Sequence, residues 1–134
     1  MAIKIVNQED VKVEHLIGRD LQWIVTPETI GAKKISIAIM NCPAGSIVRP
    51  LHGHKGVEEI LLILKGEGEA WVDGETAFFK KGNAVLFPPD SKHQVRNTGS
   101  GPLITASIFS PSTSPETYTI YDEDGFTEEK YKKL

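Results

Sequence analysis

The chain has 134 residues, a formal net charge of −3, and 40% hydrophobic and 25% charged content, the size and make-up of one globular domain. So small a negative charge gives no electrostatic reason to approach nucleic acid, and no apolar run nears the roughly 20 residues that span a bilayer. A single cysteine, Cys42, excludes an internal disulfide and a thiolate cluster of the zinc-finger kind.

The opening MAIKIVNQEDVK has no apolar core of signal-peptide length, so the expectation is a soluble, cytoplasmic protein. Within it AIKIV reads as an N-terminal strand, part of an arm over residues 1–34 in which His15 reads as a hydrogen-bonded core residue. KKISIAIM alternates over 33–40, and EILLIL runs from 59 to 64. EAWV then meets TAFF across Asp73-Gly74, a strong hairpin signal. NAVLFPP, HQVRN and LITASIF continue the series to Phe109, separated by the turn-forming stretches KKGN, PPDS and NTGSGP. Short strands punctuated this way predict an all-β sandwich or barrel. Residues 110–126 are rich in Ser, Thr and Pro and then acidic, which suits an arm lying over the barrel. TEEKYKKL predicts a short C-terminal helix, capped by Thr127 and supported by Glu128/Lys132 and Glu129/Lys133. Paired lysines at 33/34, 80/81 and 132/133 read as solvated surface. No internal repeat is visible. The reading is one domain over 1–134, with a barrel core at about 35–110 and arms at 1–34 and 111–134.

The chemistry sits in RPLHGHKGVEEILLILKGEG, residues 49–68. Side chains on a strand alternate faces, so His52 and His54 point the same way and can converge on one ion. A carboxylate opening the apolar strand that follows needs compensation for its lost hydration, and a bound cation supplies it. Two glutamates compete for that role. If Leu61 and Ile63 face the interior, Glu59 shares their face, whereas Glu58 lies opposite with Ile60 and Leu62. The prediction is Glu59.

Downstream, Gly82 and a proline pair bracket a strand in KGNAVLFPPDSKHQVRN, and His93 starts the next one. Here the sequence resembles the cupins. Their first motif is a glycine, five residues, His-X-His, three or four residues, Glu, six residues and Gly; the second is Gly, five residues, Pro-X-Gly, two residues, His, three residues and Asn. His52, His54, Glu59 and Gly66 stand at the first motif's spacing, and Gly82, Pro88, His93 and Asn97 at the second's. Two positions depart from the pattern. Six residues separate Gly45 from His52, predicting a slightly longer turn, and Asp90 stands where the family has glycine, predicting a turn that tolerates aspartate.

The resemblance implies an antiparallel jelly roll with His52, His54, Glu59 and His93 as ligands of one divalent metal, and points towards a homodimer of the small-cupin type. Three neutral imidazoles and one carboxylate leave such an ion a local charge of about +1, with two adjacent positions open if it is six-coordinate. Mixed N and O donors suit Fe, Mn, Ni, Co, Cu or Zn better than calcium or magnesium. Family members include dioxygenases, isomerases, decarboxylases and lyases, so the expectation is a metalloenzyme acting on a small oxygenated substrate. The alternative is a non-enzymatic module for a small carbohydrate or carboxylate. By alternation Val48, Pro50, Leu61, Ile63 and Val95 line the interior, and Arg49, Trp23, Trp71, Met40 and Tyr118 are weaker candidates for ligand contact.

Overall fold

The computed structural model describes residues 2–114, 116 and 118–126, so the helix expected over TEEKYKKL lies outside the described residues. Among the described residues there are eleven strands: β1 (Glu14–Leu16), β2 (Arg19–Val25), β3 (Ser36–Cys42), β4 (His52–His54), β5 (Glu58–Lys65), β6 (Glu67–Val72), β7 (Glu75–Lys80), β8 (Ala84–Phe87), β9 (His93–Asn97), β10 (Leu103–Ser110) and β11 (Tyr118–Ile120). They form a six-stranded sheet in the order β1-β2-β3-β10-β5-β8 and a five-stranded sheet in the order β11-β4-β9-β6-β7. Each strand pairing is antiparallel. The sheets pack as a jelly-roll sandwich. Among the described residues no helix is long and apolar enough to cross a membrane.

Alternation sets which face of each strand is buried. In β5, Glu59, Leu61 and Ile63 turn inward while Ile60 and Leu62 stay half-buried on the outer face. In β3 the inward set is Ser36, Ala38, Met40 and Cys42, so the small residues face the core and the isoleucines face out. Leu21, Phe79, Phe87, Val95, Leu103 and Phe109 complete the core between the sheets. This leaves room inside. Ala38 and Met40 of the inward face of β3 line the space that the site occupies.

Turn chemistry closes the strands where expected. Asp73 (φ 46°) and Gly74 (φ 94°) form the two-residue loop between Val72 and Glu75, the pattern of a type I′ hairpin. Asp90 adopts φ 65°, and its Oδ1 accepts a hydrogen bond from Gly56 N at 2.9 Å, so aspartate here joins two loops as well as tolerating the angle. Asn97 donates to Cys42 O (2.9 Å) and Gly101 O (2.8 Å), which ties the end of β9 to β3 and to the next turn.

The two N-terminal readings differ in outcome. Ala2–Val6, expected as a strand for a second subunit to pair with, makes no strand among the described residues of the single chain, and Ile3 and Ile5 are exposed. His15 is not in the core. It sits on the exposed face of β1, with Nδ1 2.6 Å from Asp20 Oδ1 across the β1–β2 hairpin.

Candidate metal centre

His52 and His54 project from β4 on one face, as the two-residue spacing requires, and His52 is directly paired with His93 of β9. Those three residues belong to the five-stranded sheet. Glu59 comes from β5 in the opposite sheet, paired with Phe87 and Phe109. The cluster therefore joins the two layers of the sandwich. Gly53 makes the approach possible: a Cβ there would lie 2.5 Å from Ser91 O, inside van der Waals contact with the loop that leads to His93.

Each imidazole is held by an aromatic ring. Tyr118 stacks on His52 at 5.0 Å and 4°, Phe87 stacks on His93 at 4.1 Å and 2°, and Phe109 meets His54 edge-on at 5.0 Å. His52 Nδ1 is 2.9 Å from Pro50 O. A carbonyl only accepts, so Nδ1 carries the proton and Nε2 keeps its lone pair for a ligand. Burial, then the neighbouring His93, push His52 down to about 3, so this imidazole is neutral at physiological pH.

One donor atom from each of His52, His54 and His93 lies within 4.8 Å of the others, and all three residues are buried. Glu59 is 5% exposed, and its Oε1 stands 3.3 Å from both His54 Nε2 and His93 Nε2. Two donors each about 2.1 Å from one ion are separated by about 3.0 to 3.4 Å, for angles from square to tetrahedral. The observed spacing matches. Burial alone would push the Glu59 carboxyl up, but the imidazoles of His54 and His93 outweigh it and hold the group below the usual carboxylate range. Neither contact is aligned as a hydrogen bond. Both ring nitrogens of His54 and of His93, and Glu59 Oε1, are buried without a hydrogen-bond partner among the described residues. Burying unpaired polar atoms is costly, and a cation between them would remove that cost. The donor set fits: three buried histidines that could hold a metal ion, with a carboxylate beside them.

The site opens on a cavity of about 40 Å³, room for about three water molecules. Val48, Leu61 and Val95 line it as expected, and so do Met40 and Tyr118 among the weaker candidates. Ile63 packs in the core instead. Arg49 lies outside the cavity, bound to Asp124 through Nε and Nη2 at 3.1 and 3.2 Å. Trp23 stacks on Phe109, and Trp71 packs with Ile47 and Phe126. Arg19 of β2 lines the cavity and was not foreseen. Its signal was present: it occupies the inward phase of a strand with Leu21, directly after a turn glycine.

Comparison with known proteins bears on the family and the fold. The chain is 33% identical over 106 residues to the uncharacterized protein MJ1618 of Methanocaldococcus jannaschii, covering 77% of this chain and 84% of that one. It is 32% identical over 94 residues to the oxalate-binding protein of Thermotoga maritima, covering 70% of each. The crystal structure of a predicted oxalate decarboxylase from Thermotoga maritima superposes with a TM-score of 0.70 at 25% identity, covering 81% of this chain and 99% of that one. Residues 38–109 match the cupin domain. On that match, which spans more than half of the chain, the protein belongs to the cupin family.

Proposed function

We propose that His52, His54, Glu59 and His93 hold one divalent transition-metal ion of the Fe, Mn, Ni, Co, Cu or Zn group, and that the protein is a metal-dependent enzyme acting on a small ligand with two adjacent oxygens. The observation that carries this reading is the set of buried, unpartnered atoms on His54, His93 and Glu59. When bound, the metal would supply Lewis-acid polarisation of a ligand oxygen. The chain's own residues do the rest. Glu59 sets the charge of the donor set, the rings of Phe87, Phe109 and Tyr118 fix the imidazoles, and the walls of Val48, Leu61 and Val95 exclude bulk water. Burial, then the charge of Glu59, push the Tyr118 phenol up, so it enters the cavity as a neutral hydrogen-bond donor. A cavity this small favours a ligand of few atoms, and the likeness to the oxalate-binding protein and to the predicted oxalate decarboxylase of Thermotoga maritima makes oxalate the first compound to test.

A non-enzymatic binding module is the second reading, and the lining favours it: beyond the four metal-site residues, the polar side chains are Arg19, Gln94, Ser107 and Tyr118, with no further carboxylate or imidazole to take a proton. Oxalate given to manganese- or iron-reconstituted protein, with and without oxygen, separates the two. Metal-dependent product formation is the expected result; tight binding without turnover would establish the module, and neither binding nor turnover with any metal would overturn both. The proposal extends to a homodimer working in the cytoplasm. The dimer has support in Ile3 and Ile5, which are 88% and 85% exposed on one chain.

A further inference from the structure

Arg19 is 7% exposed and lines the same cavity as His52, His54, Glu59 and His93. A buried guanidinium normally has a carboxylate partner. Arg19 has none within ion-pair distance among the described residues. Its Nη1 donates to Arg49 O at 3.0 Å and Ile17 O at 3.3 Å, while Nε and Nη2 have no hydrogen-bond partner among the described residues. One nitrogen anchors the group, and the remaining donors are unused. Desolvation pulls its pKa below the ordinary arginine value, as expected for a cation that the fold buries without full compensation.

The anchorage is built into the β1–β2 turn. Gly18 adopts φ +79°, and a Cβ there would stand 1.8 Å from Ile47 O, so only glycine allows the turn to lie against residues 47–49. Arg49 N donates to Ile17 O at 3.4 Å across the same contact. That segment runs directly into His52. The guanidinium and the first histidine pair therefore share one support, which holds the side chain in place before any ligand arrives.

Charge counting says what the ligand should be. A divalent ion with three neutral imidazoles and the Glu59 carboxylate carries about +1, and Arg19 raises the buried total to about +2. A neutral sugar would leave that charge uncompensated, and a monoanion would leave half of it. A dianion brings it to zero. We infer that Arg19 is a specificity-determining residue that selects a dianionic, two-carboxylate ligand, its free Nε and Nη2 donors taking the oxygens that the metal centre leaves over. This rests on the metal reading above and narrows its substrate class.

The test is calorimetric titration of manganese-loaded wild type, Arg19→Met and Arg19→Lys with oxalate and, separately, with acetohydroxamate, a two-oxygen chelator that binds as a monoanion and has no carboxylate. The expected result is that Arg19→Met weakens oxalate about tenfold to a hundredfold, Arg19→Lys recovers part of that loss, and acetohydroxamate changes by less than about threefold. All three proteins should carry equal metal. Equal weakening of both chelators, or loss of metal in both variants, would make Arg19 a structural strut and overturn the inference. Unchanged oxalate affinity would overturn it too. If wild type binds acetohydroxamate but not oxalate, the metal reading stands and this inference falls; if it carries manganese and binds neither, the reading of a ligand with two adjacent oxygens falls, and this inference with it.

Discussion

Two adjacent glutamates open β5, and the strand sends them to opposite faces: Glu58 to solvent, Glu59 against His54 and His93. Replacing Glu59 by Gln keeps the shape but removes the charge, so metal affinity should drop by about tenfold or more, whereas Glu58→Gln should leave it within about twofold. Competition with a chromophoric chelator measures both; a larger loss in the Glu58 variant would move the carboxylate by one residue. Cys42 makes a second prediction at this scale. It is fully buried, and burial pushes its thiol from 9.0 to about 11. Native protein at pH 8.5 should therefore react with a thiol reagent at least about a hundredfold more slowly than urea-unfolded protein. The folded state holds the proton more tightly than the unfolded one, so this contribution to stability is complete below about pH 9 and is lost as pH rises towards 11. Denaturant midpoints that rise across that interval in wild type but not in Cys42→Ala would contradict it.

At the level of elements, the strand β4 carries the site because it can lie close to the loop before β9. Gly53→Ala puts a methyl group where Ser91 O stands at 2.5 Å, and both are backbone-bound. The strand must shift, so the variant should lose about 1 to 3 kcal/mol of stability and at least about tenfold in metal affinity. Urea unfolding and the same chelator competition would show it, and a variant with wild-type values in both would mean that β4 does not need the close approach. Much of this was legible in the residues. The phase of Glu59 with Leu61 and Ile63, the His-Gly-His spacing and the Asp73-Gly74 turn follow from alternation and turn chemistry alone. The β1–β2 hairpin was not legible, because its turn at Gly18 lies against Ile47, a contact between distant segments. Arg19 was missed with it. Nor was β11 foreseen: a three-residue strand in a Ser/Thr/Pro-rich arm has no periodicity of its own, and it forms by pairing with β4, which brings Tyr118 onto His52. In β3 alternation gave the strand but not its inward face, since the bulkier isoleucines point away from the cavity.

For the molecule as a whole, the exposed N-terminal isoleucines lead to the expectation that light scattering at micromolar concentration will give twice the chain mass, and that removing residues 2–6 will shift the equilibrium towards the single-chain value. A monomer mass for the intact protein would refute the dimer without touching the site. Where the two sheets meet, three histidines from one layer stand beside a glutamate from the other, and these four are proposed to hold a single metal ion. The most direct test of that proposal is the metal-to-protein ratio, by elemental analysis, of gently purified protein and of the His52→Ala/His54→Ala double variant. Close to one transition-metal ion per chain is expected in the first and essentially none in the second, with the fold retained by circular dichroism. Equal metal in both proteins would contradict it.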